Sequence, residues 1–117
     1  MAQTATAWED LFRDKVSYLS QQFSGQSRLA RLLEVDRSRV SRWLRSEVPD
    51  AENRGKLEAL EFVFSRLTTF LSSETAEKWL VGMNAHLANQ RPIDLIRDGR
   101  IAEVIAAVEQ FETGAFA

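Results

Sequence analysis

The chain has 117 residues, 44% hydrophobic and 27% charged, with 15 basic and 17 acidic side chains giving a formal net charge of −2. That suffices for one domain or two very small ones, excludes a large enzyme, and argues against wholesale disorder. The lack of cysteine excludes a disulfide framework, a thiolate metal site and a thiol nucleophile, and fits a reducing cytoplasm.

No apolar run approaches the ~20 residues of a bilayer span. Met1-Ala2-Gln3-Thr4-Ala5-Thr6 has neither the basic start nor the apolar stretch of a secretion signal, so neither export nor a membrane partner is expected. Trp8, Leu11, Phe12, Val16, Leu19 and Phe23 recur at helical intervals and predict an amphipathic helix over about 6–22, with that stripe turned inward. Ser24-Gly25 ends it, and Ser24 is placed to cap a short second helix over 26–33 in which Leu29, Ala30 and Leu33 share one side. Glu34-Val35-Asp36 reads as a tight turn whose Asp36 accepts hydrogen bonds from the exposed amides of a third helix over 37–45. Val48-Pro49-Asp50 closes the unit, because proline cannot continue a helix and biases its predecessor toward extended geometry. The domain boundary is expected there, giving 1–50 and 51–117.

A long helix over about 51–71 follows. Leu57, Leu60, Phe64, Leu67 and Leu71 are three and four apart, and Phe62, Val63 and Phe70 widen the stripe, which suits either the strut of a small bundle or a dimer interface. Ser72-Ser73 cap a helix running through Trp79, Leu80 and Met83 to about Leu87. Pro92 opens a short helix over 92–97 that Asp98-Gly99 stops. A last helix carries Ile101, Val104, Ile105 and Val108 to about Phe111, leaving 112–117 as a tail. No strand pattern, repeat or low-complexity tract appears, and the expected class is all-α.

Charge is segregated along this chain. Between Arg28 and Arg45 stand Arg28, Arg31, Arg37, Arg39, Arg42 and Arg45 against Glu34 and Asp36, so the stretch is +4 and the remainder −6. Every cation in it is arginine, whose planar fork suits phosphates and guanine edges. At about 100° per residue, Arg37, Ser38, Ser41, Arg42 and Arg45 fall within one arc of the third helix and Val40, Trp43 and Leu44 in the opposite one, with Arg39 at the border. One arc faces a core and the other is available to a DNA groove.

The segment from Gln26 to Leu44, with Ala30 as the small residue at the helix contact and Val35, Val40 and Leu44 at core positions, resembles the helix-turn-helix of the Xre repressor-like family. Glu34 stands where that family usually has glycine, so the turn is either strained or looser than standard. The resemblance implies operator DNA as a partner, and because a monomer contacts too few phosphates for tight binding, a dimer on a two-fold site is expected. Arg28, Arg39 and the amides near Gln26 and Ser27 would hold phosphates, while Arg37, Ser38, Ser41, Arg42 and Arg45 would face the major groove, with Arg42 the principal base reader.

In the second half, Trp79-Leu80, Leu87, Arg91-Pro92-Ile93-Asp94-Leu95-Ile96, Gly99, Val104 and Gly114 together resemble the toxin-binding domain of the Xre/MbcA/ParS antitoxins. Ala88-Asn89-Gln90 replaces the paired glycines that many relatives carry there. The resemblance implies a RES-domain toxin that acts on NAD as the protein partner, silenced when the antitoxin's C-terminal end enters its catalytic cleft. Arg91, Pro92, Asp94, Thr113, Gly114, Ala115, Phe116 and Ala117 are then the expected toxin-binding residues, and a homodimer or a higher toxin-antitoxin assembly is expected. The competing reading is a transcription regulator whose C-terminal half only dimerises or senses a ligand.

Other residues carry little chemistry. His86 is the sole histidine, with no nearby second ligand or nucleophile, so no metal, cofactor or catalytic residue is expected. Neither a glycine-rich phosphate loop nor a Ser-His-Asp order is present, which argues against an enzyme. Trp8, Trp43 and Trp79 lie on apolar stripes and are expected in the core.

Overall fold

The structure is a computed structural model and describes residues 7–115. Among them are seven α-helices: α1 (Ala7–Gln22), α2 (Gln26–Leu33), α3 (Arg37–Arg45), α4 (Ala51–Leu67), α5 (Ser73–Val81), α6 (Pro92–Arg97) and α7 (Ile101–Ala115), with a 3-10 turn, Ala85–Leu87, between α5 and α6. No strand forms among the described residues, and the fold is all-α as expected. The chain divides into two compact units, one up to Leu57 and the other from Glu58. The division falls inside α4.

In the first unit, α1, α2 and α3 enclose Phe12, Val16, Leu19, Phe23, Leu29, Leu33, Val40 and Trp43, all buried. Two reversals join these helices in the same way. Ser24 and Glu34 both adopt left-handed backbone, at φ 63° and 56°. After each, the chain closes with a pair of bonds: Ser24 N–H to Gln21 O and Gly25 N–H to Ser20 O in the first, Glu34 N–H to Arg31 O and Val35 N–H to Ala30 O in the second. These are Schellman motifs, which satisfy the last carbonyls of a helix and normally use glycine. The turn at Glu34 is therefore standard in its bonding and strained at one residue.

Three expectations about this unit are corrected. Ser24 does not cap α2, because it is already the left-handed residue ending α1, and Gly25 takes the capping position without a side chain. Asp36 holds the N-cap position of α3, but its carboxylate makes no capping bond. Trp8 is 48% exposed rather than buried. Its ring meets the edge of Phe12 at 5.3 Å and carries the Arg54 guanidinium 5.0 Å above its face, an arrangement that suits an aromatic ring at the margin of a core. The inward seam is Phe12, Val16, Leu19 and Phe23; Leu11, about 100° around the helix from Phe12, is likewise 48% exposed.

In the second unit the later turns of α4 pack with α5, α6 and α7 around Leu60, Phe64, Leu67, Leu80, Ile93, Leu95, Ile96, Val104 and Val108, all buried. Helix α4 ends at Leu67 instead of reaching 71. The Thr68 hydroxyl donates to Phe64 O and Ser65 O and the Thr69 hydroxyl to Arg66 O, capturing the last carbonyls while the backbone tightens to i→i+3 bonds. The Ser72 hydroxyl accepts from Thr75 N–H at 3.1 Å and starts α5, as expected of a serine cap. Helix α5 stops at Val81 rather than near 87, because Gly82 turns to an extended conformation and Asn84 pairs in antiparallel fashion with Gln90. At the other end of the unit, α7 does not stop near Phe111 but continues to Ala115. Phe111 stacks with Trp79 at 6.2 Å and meets Phe70 edge-on at 5.8 Å, and Glu112 accepts from Arg66 Nε at 3.0 Å, so contacts with α4 and α5 hold the last turns. No described helix is long and apolar enough to cross a membrane.

Candidate functional site

Helix α3 presents the arginine face that its sequence spacing requires. Arg37, Ser38, Arg42 and Arg45 are exposed and Ser41 half-buried, while Val40 and Trp43 are buried on the opposite side and Leu44 is half-buried. Arg28 on α2 is exposed and Arg39 half-buried at the border. The two helices thus bring all the sequence-predicted DNA-binding residues into one unit, as side chains at least partly open to solvent.

Two acidic partners were not foreseen. Arg42 Nε donates to Glu47 Oε2 at 2.8 Å, and Arg39 lies 3.7 Å from the Asp50 carboxylate. Asp50 also accepts from Asn53 Nδ2 at 2.5 Å, and that bond, with the Arg39 charge, lowers its carboxyl below the ordinary value. Both acids follow the arginine helix in the connection to α4. A charge tally along the segment hides such pairing, which depends on how the chain returns after α3.

The Arg91-Pro92-Ile93-Asp94-Leu95-Ile96 block forms the start of α6. Pro92 occupies the first helical turn, where a missing N–H costs nothing, and is buried together with Ile93, Leu95 and Ile96. Asp94 accepts two bonds from Arg91, at 3.0 and 2.9 Å, and a third from Arg97. Hydrogen bonding by Arg91 is the first cause that holds its carboxyl below the usual range, against the opposing effect of burial. Gly99, at φ 78°, then permits the closure of Arg100 N–H onto Leu95 O. Most of this motif is therefore engaged within the fold: Pro92 is spent in the core, and only Arg91 and the half-buried Asp94 keep a surface. Among the remaining expected toxin contacts, Thr113 and Gly114 are exposed on the last turn of α7, where the Thr113 hydroxyl donates to Glu109 O. The backbone of Ala115 is helical, and Phe116 and Ala117 lie outside the described residues. His86 is exposed, and no group of His, Asp or Glu able to hold a metal occurs among the described residues.

No family model matches the chain. Three proteins named mycobacterial cidal antitoxin MbcA, from Mycobacterium bovis and two strains of Mycobacterium tuberculosis, are each 32% identical to it over 78 residues, 66% of this chain and 69% of theirs. The chain belongs to the MbcA antitoxin family. Family membership bears out the resemblance to these antitoxins. The crystal structure of the Mycobacterium tuberculosis MbcT-MbcA toxin-antitoxin complex contains a chain of the same fold, with a TM-score of 0.73 and 23% identity over 97% of this chain and 100% of that one. The MbcA-like helical architecture thus covers both compact units.

Proposed function

We propose that the chain neutralises a RES-domain, NAD-degrading toxin by binding it and delivering its C-terminal end to the toxin's catalytic cleft. The observation that carries this reading is the 32% identity to MbcA antitoxins over two thirds of the chain, supported by a fold shared with a solved toxin-antitoxin complex. Helix α7 changes how the end is delivered. Residues 112–115 belong to an anchored helix, so Thr113 and Gly114 approach the toxin on a rigid stem, and Phe116 and Ala117 enter the cleft. Arg91 and Asp94 contribute a charged rim beside the plug. Residues 51–117 form the toxin-binding and dimerisation part. Phe62, 51% exposed above a shallow apolar depression of Val63, Ile105 and Val108, supports a homodimer or higher assembly.

The test is coexpression with the cognate toxin. A chain lacking 113–117 keeps its helical circular dichroism and thermal transition but leaves cells unprotected and their NAD depleted. Full protection by that truncated chain overturns the plug.

A second activity is favoured by the arginine face of α3. The chain binds its own operator as a dimer, with Arg28 and Arg39 on phosphates and Arg37, Ser38, Ser41, Arg42 and Arg45 toward the major groove, and so represses its operon. Arg42→Ala is expected to relax sequence preference at a cost of ~1–3 kcal/mol on the preferred duplex. Equal losses on preferred and random duplexes, measured by anisotropy, contradict the assignment.

A further inference from the structure

We infer that Glu47 is a positioning residue for sequence reading: it fixes the Arg42 guanidinium so that its terminal nitrogens form a ready fork for the O6 and N7 acceptors of a guanine. The inference rests on the operator-binding reading above and deepens it.

The pair is built twice over. Glu47 N–H donates to the Arg42 carbonyl at 2.9 Å, as does Ser46 N–H, so the chain leaving α3 folds back onto Arg42 before any side chain is considered. Pro49, two residues later, is buried. The Glu47 carboxylate is thereby carried beside the guanidinium, where Oε2 accepts from Nε at 2.8 Å. The bonded atom matters. A carboxylate across the two terminal nitrogens would occupy the edge that guanine needs, whereas one on Nε leaves that edge without a partner among the described residues.

Arg42 differs in this from its neighbours. Arg37 and Arg45, on the same arc, have no side-chain tether among the described residues, and the Arg39–Asp50 separation of 3.7 Å is too long for a hydrogen bond. A long side chain loses rotamer entropy when it docks, and a guanidinium already held by one bond loses less. Holding also confines the fork to one position along the groove, which is where discrimination between bases arises. The opposite effect of Glu47 is general: a carboxylate on a DNA-facing surface weakens attraction to every sequence alike. Positioning thus predicts that affinity and selectivity separate when Glu47 is changed.

The experiment compares the full-length chain with its Glu47→Ala and Glu47→Gln variants. The unaltered chain is first used to select from a randomised duplex pool, and binding is then measured on the selected duplex, on the same duplex with the contacted guanine replaced, and on random duplex. The expected result is that Glu47→Ala binds random duplex at least as tightly as before while its preference for the guanine falls about tenfold. Glu47→Gln keeps an acceptor oxygen without the charge and retains most of the preference. Undiminished guanine preference in Glu47→Ala, with affinity raised equally on all duplexes, overturns the inference and leaves Glu47 as a simple repulsive charge. Failure of the unaltered chain to enrich any sequence overturns both the inference and operator binding, so the two failures are distinguishable. A second measurement needs no variant to fold. In the unbound chain the Arg42 Nε–H should exchange with water more slowly than those of Arg37 and Arg45, and equal exchange rates count against the tether.

Discussion

Glu34 shows how a single residue can leave a turn intact and still weaken it. At φ 56° and ψ 48° it is left-handed, yet both closing bonds of the α2 terminus are made. A side chain in that conformation costs ~1–2 kcal/mol, and glycine there costs ~0.5–1 kcal/mol in lost backbone freedom. Relief exceeds cost, so Glu34→Gly is expected to stabilise the chain by about 0.5–1 kcal/mol, seen as a higher denaturation midpoint with an unchanged m-value. A lower midpoint would show that the left-handed turn is not strained. Which residues occupy the core was largely legible at this scale, and Trp43 is buried as its stripe requires. Trp8 was not, because periodicity marks a side of the helix and not where along the helix the neighbouring elements stop. Nor was the engagement of Arg42 by Glu47, which depends on a backbone return that no pattern of residue types announces.

Among the elements, the boundaries of α2, α3 and α6 were legible because Gly25, the turn before Arg37, Pro92 and Gly99 punctuate them locally. The ends of α4, α5 and α7 depend on other things: threonine hydroxyls taking carbonyls, an Asn84–Gln90 pairing, and contacts of Phe111 and Glu112 with distant residues. Two predictions belong here. Asp94 holds Arg91 and Arg97 at the start of α6, and its carboxyl is lowered by those bonds. A carboxyl lower in the folded than in the unfolded chain contributes stability that is fully present above its unfolded value of ~4 and is lost as pH falls through the folded value. With the side chain 39% exposed, solvent screening limits that contribution, and Asp94→Asn should cost about 1 kcal/mol at pH 7. The stability difference from the unaltered chain should close as the pH falls below the unfolded value and through the lowered folded one; a difference that persists once the carboxyl is protonated would mean that packing, not charge, holds the motif. Gly114 lies inside α7, and a methyl group there meets nothing within 4 Å. Gly114→Ala should therefore raise stability by roughly 0.5–1 kcal/mol through helix propensity. If close backbone approach to the toxin uses this glycine, the same variant neutralises more weakly, and a coexpression titration separates the two effects.

For the whole molecule, function was legible unevenly. The proposed nucleic-acid face has a chemical signature, arginines on one arc, that sequence spacing exposes. A protein-binding surface has none, so the proposal that the second half binds a toxin rests on resemblance alone. The charge of the molecule makes the same point physically. A net charge of −2 does not describe the field at α3, where the 28–45 stretch is +4 and the Debye length at physiological salt is ~8 Å. DNA binding should thus follow the local count of cations and not the total. Arg28→Ala and Glu74→Gln test this, because they move the net charge by one unit each in opposite directions, and Glu74 belongs to the other compact unit with a side chain 82% exposed. In plots of log K against log salt for duplex binding, Arg28→Ala should flatten the slope by about one and weaken all sequences alike. Glu74→Gln should leave slope and affinity unchanged. If both substitutions instead shift affinity by comparable amounts in opposite directions, the field of the whole protein governs association, and the basic stretch has no privileged role.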